Sequence, residues 1–391
     1  MGRPISRAVW VLSLISLFTD MASEMLYPVF PVYLKHIGYS VVFIGVLEGL
    51  AEAVAGLSKG YFGKLSDYRG KRVPFVQWGY GLSALSKPLL AAFVFPLWIF
   101  VCRTIDRLGK GIRTGARDAL LSAAAEPGQK ASVFGFHRSM DTLGAVLGPS
   151  LALGFLYLYP ENYIALFLLA AVPGLLAVLS TRLLKENQII PKKDGSAPSF
   201  FSFLGYWKTA PANYRKLVTG LLLFTLFNSS DVFLLLKGKE AGWSDTAVIG
   251  VYILYNAVYA IFAFPLGRLA DKIGVKRIFI GGLIAFAIVY TGMAISSSLA
   301  VYIGLFVLYG IYAAATEGIS KAWIAQISQT AELGTAMGNF TALQSMATFL
   351  ASSVTGFVWF QFGAATALII TATGALLTVF IINRIPEPTN A

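Results

Sequence analysis

GKLSDYRGKR, residues 63–72, returns later in the chain as GRLADKIGVKR, residues 267–277. Gly63 and Gly267, Leu65 and Leu269, Asp67 and Asp271, and Gly70 and Gly274 are each 204 residues apart. The same offset lays ASVFGFHRSMDTLGAVLGP, residues 131–149, against GTAMGNFTALQSMATFLASS, residues 334–353, to within a residue. A chain that repeats itself at half its length folds as two copies of one unit. Parallel repeats related by an axis along the membrane normal are a transporter architecture, with the site near the midplane between the halves.

The solvent is legible in the composition. Of the 391 residues, 57% are hydrophobic and only 13% charged, with a mean hydropathy of +0.70. Such a chain is a polytopic membrane protein. A spanning helix needs about 20 apolar residues, and twelve stretches meet that length: 8–34, 41–60, 74–94, 96–117, 132–157, 162–181, 217–236, 246–266, 278–297, 300–323, 336–360 and 364–383. Short segments after the even-numbered spans are rich in Lys and Arg, among them Lys64, Arg69, Lys71, Arg72, Lys130, Lys192, Lys193, Arg268 and Lys276. The opposite side holds only Lys35, Lys237 and Lys239. The positive-inside bias therefore predicts cytoplasmic termini in a cell (inner) membrane. It also accounts for the net charge of +12 without nucleic acid. The lone Cys102 excludes an internal disulfide. The first apolar run lacks the cleavage pattern of a signal peptide. The expected domains are a six-helix bundle over 1–181, a linker over 182–216 and a second bundle over 217–391. In the linker, Phe200, Phe203, Leu204 and Trp207 recur at helical spacing, the pattern of an interfacial helix on the membrane or of a plain loop.

The duplicated loop resembles the signature of the major facilitator superfamily, and the likeness covers essentially the whole chain. Gly63, Asp67, Gly70, Lys71 and Arg72 match that motif; Tyr68 departs from it, and Val275 replaces a basic residue in the second copy. The resemblance implies an all-α integral membrane fold of twelve transmembrane helices in two pseudo-symmetric six-helix halves. It also implies a cytoplasmic gate of Gly63, Asp67, Gly70 and Lys71, with Gly267, Asp271 and Gly274 in the second copy. Asp118, at the end of span four, is an expected third charge in that network. Span five carries Gly144, Gly148 and Pro149, similar to the glycine-proline signature of the family's proton antiporters, with one terminal glycine instead of two. Small residues allow close helix contact and proline bends the helix, so simple packing is the alternative reading.

Spans one, two, four and five hold eleven charges: Asp20, Glu24, Glu48, Glu52, Arg103, Asp106, Arg107, Lys110, Arg113, Arg138 and Asp141. Each costs about 2.5–3.5 kcal/mol at mid-membrane unless it pairs or faces water. Lys87 in span three is an outlier. At about 1.5 Å per residue, Asp20, Glu52, Arg107 and Asp141 fall in one layer near the midplane, and Glu24, Glu48 and Arg103 in a second, closer to the outside. The i,i+4 spacings of Asp20/Glu24, Glu48/Glu52 and Arg103/Arg107 keep each pair on one helix face. Carboxylates in a poorly hydrated cavity beside a mobile arginine suit a proton carrier. Arg107, four residues before Gly111, resembles the arginine of the family's fourth-helix antiporter motif. Asp20 or Glu24 is thus the expected proton carrier and Arg107 its switch; a balanced structural salt-bridge network is the alternative.

The second half is quieter. Its cavity-facing candidates are Asn228, Asp231, Tyr252, Tyr255, Asn256, Glu317 and Gln344, with Ser229, Ser230, Tyr259, Lys321 and Asn339 nearby. Glu317 and Lys321, four apart, can neutralise each other. His137, Ser139 and Asp141 form no catalytic triad, because a helix turns Ser139 away from the other two. The expectation is a non-enzymatic, monomeric carrier with no cofactor that exports a small solute against protons. A divalent-metal exporter using Asp20, Glu24, Glu48 and Glu52, or an importer of a small organic anion, are the other readings.

Overall fold

The computed structural model describes residues 5–27, 29–39, 41–186 and 197–385, and not the side chains at 31, 32, 35, 41–50, 245 and 246. Lys192, Lys193 and both chain ends therefore lie outside the described residues, as do the side chains of Lys35 and Glu48. The described residues form α1 (Arg7–Leu26), α2 (Phe30–His36), α3 (Val41–Arg69), α4 (Val73–Leu90), α5 (Pro96–Ala123), α6 (Lys130–Leu158) and α7 (Tyr163–Thr181). After the linker come α8 (Tyr206–Thr209), α9 (Ala212–Phe227), α10 (Val232–Glu240), α11 (Asp245–Ile273) and α12 (Val275–Ile295). The chain ends in α13 (Leu299–Ile327), α14 (Leu333–Phe362) and α15 (Ala364–Asn383). With α1–α2 and α9–α10 each counted as one interrupted rod, these are twelve membrane helices.

Local chemistry sets the helix ends. Ser6, Asn162 and Ser244 turn their side chains onto the first free amides of α1, α7 and α11. Gly70 and Gly274, the last glycines of the duplicated loop, stop α3 and α11 with φ of 65° and 105°, a region side chains with a Cβ disfavour. Eight stretches are long and apolar enough to cross a membrane by composition alone. α5 is not among them, because Arg103, Asp106, Arg107, Lys110 and Arg113 crowd about three of its turns. It is a membrane helix whose polar face demands partners.

Two compact units result. The first comprises residues 1–125, 140–209 and 329–342; the second comprises 126–139, 210–328 and 343–391. The boundaries differ from the expected sequence halves because the opening turns of α6 and α14 each pack with helices of the other half, and because the linker through Thr209 belongs to the first unit. The first unit is cored by Met25, Phe30, Leu90, Ile99, Cys102, Phe167 and Ala170 from α1, α2, α4, α5 and α7. In the second, Phe224, Phe279, Phe286, Tyr290, Tyr312 and Trp323 pack ring against ring.

The linker departs from the expected interfacial helix. It forms a 3₁₀ turn (Ser202–Gly205) and the single turn α8. Phe203 is fully buried, and its ring fills the space that a Cβ on Gly60 of α3 would need. Lys64 Nζ donates to Ser202 O at 2.8 Å and Asn339 Nδ2 to Phe203 O at 3.1 Å. The apolar side chain faces protein because Gly60 leaves room for its ring, while Lys64 and Asn339 supply donors to the linker carbonyls.

Candidate functional site

The charges of the first unit converge from four helices. Asp20 of α1 and Asp141 of α6 lie close enough for their carboxyls to interact, with Glu24 and Lys110 in the same field. Ser16 Oγ donates to Asp141. Arg107 Nε of α5 lies 3.1 Å from Glu52 Oε1 of α3. Glu24 faces Lys110, Arg107, Asp141 and Arg103. Arg103 also stacks over the Phe30 ring at 4.5 Å. The structure thus brings together Asp20, Glu24, Glu52, Arg107 and Asp141; Glu48 lies outside the described side chains. Lys110, which was not singled out for this site, is exposed and faces the same acids. Its signal was present in the i,i+3 spacing from Arg107.

Gly144 and Gly148 make this arrangement possible. A Cβ on Gly144 would strike the α1 backbone at Leu17 and Met21, and one on Gly148 would strike Met21 and Met25. The two glycines therefore press α6 onto α1 at the level of Asp20 and Glu24, and Pro149 is buried just beyond them. Among the described residues, no three His, Cys, Asp or Glu side chains converge as a metal site would require. Lys87 finds its explanation here: its Nζ meets Asp106 Oδ1 at 2.5 Å, buried between α4 and α5.

Each copy of the duplicated loop forms a second kind of site. Asp67 accepts from Gly334 N at 3.2 Å, Thr335 N at 2.6 Å and Thr335 Oγ1 at 2.8 Å, receiving the free amides at the start of α14. Its basic partner is Arg72 at 3.2 Å, in place of the expected Lys71, which is exposed. The turn at Gly70 sends Lys71 outward and Arg72 inward, where Arg72 also donates to Thr330 O at 2.8 Å and Ala119 O at 3.5 Å. Asp118, the expected third charge, pairs with its neighbour Arg117 at 3.0 Å. Burial pushes the Asp67 carboxyl above its ordinary range, opposed by Arg72 and Thr335.

In the second unit Asp271 accepts from Ala131 N at 2.9 Å, Ser132 N at 2.7 Å and the Ser132 hydroxyl, at the start of α6. Lys276, 204 residues after Arg72, donates to Asn383 O and Ile385 O at 2.6 and 2.8 Å. Gly63 and Gly267 are the close-approach points, since a Cβ would strike Gly334 and Ala131 respectively.

The remaining candidates of the second unit surround the break between α9 and α10. Asp231 accepts from Tyr309 Oη at 2.7 Å, and Asn228 Nδ2 donates to Tyr312 Oη at 2.9 Å. Tyr255 lies against Tyr309 with centroids 4.9 Å apart and against Tyr252 at 6.1 Å. Asn256 returns its amide to Tyr252 O on its own helix, and Gln344 is half-buried. Glu317 pairs with Arg138 of α6 at 3.1 Å. Arg138 reaches Glu317 because the opening turns of α6 belong to this unit.

Comparison with known proteins identifies the family of this fold. The Major Facilitator Superfamily model matches residues 12–253 and 217–391. An uncharacterized MFS-type transporter of Methanocaldococcus jannaschii is 33% identical over 97% of this chain and 96% of its own. The multidrug resistance protein MdtG of Klebsiella pneumoniae is 26% identical over 68% of this chain and 66% of its own. Among solved structures, the human organic anion transporter MFSD10 superposes with a TM-score of 0.80 at 18% identity, covering 97% of this chain and all (100%) of that one. FucP in its outward conformation gives 0.80 at 13%, covering 98% and 100%.

Proposed function

Since the chain belongs to the Major Facilitator Superfamily, a family of multi-pass membrane transporters for small molecules, we propose that it exports a small solute in exchange for protons, with the Asp20–Asp141 pair carrying the proton. The observation that carries this reading is the nearness of those two carboxyls where Gly144 and Gly148 press α6 onto α1. Two carboxylates so placed repel each other when both are ionised, so the pair is suited to hold a proton. Loss of that proton sets two like charges against each other and loosens α1 from α6 at this level.

Arg107 is the switch in this scheme. It rests on Glu52 and lies in the field of Glu24. Moving toward Asp20 as the cavity changes its exposure, it would stabilise the ionised pair and expel the proton. Lys110 acts in the same sense from the same helix. The Asp67 and Asp271 contacts serve as the cytoplasmic gate, and the charge pattern places both termini in the cytoplasm. Export gains support from the multidrug relatives, and the carrier is read as a monomer in the inner membrane.

Vesicles containing the protein and carrying an imposed pH gradient test the reading. A panel of organic cations and anions is added, and the gradient is followed with a pH-sensitive dye. Transported compounds should dissipate the gradient with the native protein and not with Asp20→Asn or Asp141→Asn. Transport that proceeds at the same rate with and without the gradient would sink proton coupling and leave a facilitator.

A further inference from the structure

We propose that Asp231 and the tyrosines around it form a binding site for an organic cation, a quaternary or protonated amine bearing an apolar body. The proposal rests on the transport reading above and names the class of its cargo. Asp231 follows directly on the interruption between α9 and α10. Interrupted helices at matching places of two repeats are where transporters of this architecture hold their ligands. The Asp231 side chain does not cap α10; it turns instead to the hydroxyls of Tyr309 and Tyr255.

The surroundings select the sign of the ligand. The groups acting most strongly on Asp231 are Tyr309 and Tyr255 by hydrogen bond and Glu317 by charge, and none of them is cationic. Glu317 has its own counter-ion in Arg138. A carboxylate inside the membrane costs about 2.5–3.5 kcal/mol. Lys87–Asp106 shows how this chain offsets that cost where the role is structural: with a lysine at 2.5 Å. At Asp231 that place is filled by rings.

The rings are arranged as a cation requires. Tyr252, Tyr255 and Tyr259 follow one another on α11 with successive centroids 6.1 and 6.3 Å apart. Tyr309 and Tyr312 of α13 lie 5.2 Å apart, and Tyr255 and Tyr309 meet at 4.9 Å with planes tilted by 38°. A cation within about 6 Å of a ring centroid is held by the ring quadrupole. The Tyr309 hydroxyl donates to the carboxylate and the Tyr255 ring lies against Tyr309, so an ammonium there meets both the charge and the rings. Asp231, Asn228 and Tyr252 are half-buried while Tyr255, Tyr309 and Tyr312 are buried: a polar rim over an aromatic floor.

Isothermal titration of the purified full-length protein with benzyltrimethylammonium, its neutral isostere neopentylbenzene, and benzenesulfonate tests this without any pH gradient. It is therefore independent of whether protons are coupled. The cation should bind, with affinity lowered about tenfold or more by Asp231→Asn and by Tyr255→Leu, and less by Tyr255→Phe, which keeps the ring. A melting temperature close to native certifies the fold of each variant. Glu161→Gln, an exposed substitution remote from Asp231, should leave the affinity unchanged. Equal binding of cation and isostere, binding of the sulfonate alone, binding that survives Asp231→Asn, an equal loss in Glu161→Gln, or no cation binding at the solubility limit would each overturn the proposal.

Discussion

The buried Lys87–Asp106 pair separates structural charges from working ones. Both side chains are almost fully buried, at 3% and 10% exposure, and their elements α4 and α5 cross closely where Gly79 meets Gly109. Removing one partner strands a charge, so Lys87→Met should destabilise the protein by about 3–5 kcal/mol. Lys87→Met combined with Asp106→Leu should recover most of that loss, which thermal or denaturant unfolding would register. Recovery is not expected for Arg107→Ala with Glu52→Gln, where Glu52 is half exposed at 51% and the charges are assigned to transport. Sequence alone showed these charges and their depths, because depth follows from counting residues along a helix. Partners were harder to read, since they depend on which way each helix is rotated. Lys87 stood out as an exception until α4 was seen against α5, and Lys71 looked like Asp67's partner until the turn at Gly70 presented Arg72.

The linker shows what hydropathy hides in elements. Phe200, Phe203, Leu204 and Trp207 have the spacing of a membrane-surface helix, and nothing in that spacing reveals that Gly60 leaves a hole of the right shape for Phe203. The break after α9 is written in the sequence as the polar run of residues 228–231, which lies inside a stretch otherwise apolar and long enough to span in one piece. Lengths also differ, as α3 and α5 run on to Arg69 and Ala123, well past the point where charge interrupts the apolar pattern. Docking of the linker leads to a second expectation. Phe203→Ala should cost about 3–5 kcal/mol of packing and expose the segment around residues 197–209 to protease. Gly60→Leu should have the same effect by filling the hole from the other side. Resistance to cleavage equal to that of the native chain in both variants would show that the segment is held by other contacts.

For the whole molecule, the duplicated loop serves two similar contacts of unequal strength. Asp67 receives the amides of α14 with the help of Arg72, while Asp271 receives those of α6 with the help of Ser132. Each contact gathers the start of one helix into the unit of the other repeat, and on the gate reading proposed above each is released as the cytoplasmic side opens. The repeat itself, its two aspartates and its glycines were legible from the 204-residue offset. Their receptors were not, because backbone amides carry no sequence signature; only the small residues at Ala131, Ser132, Gly334 and Thr335 hinted at helix starts. Removing one carboxylate charge should favour the released state, since an amide oxygen is a weaker acceptor for helix amides. Asp67→Asn should therefore shift the protein toward the cytoplasm-open form by more than Asp271→Asn, which keeps the Ser132 hydroxyl and loses no arginine pairing. With Cys102 replaced by serine, a cysteine introduced in place of Ser66, a buried residue whose hydroxyl lies against Gly334, reports the difference. Its labelling by a thiol reagent should be slow in the native background, faster with Asp271→Asn and fastest with Asp67→Asn. Equal labelling in all three would mean that neither aspartate controls the opening, and that the glycine contacts at Gly63 and Gly267 alone hold the helices together.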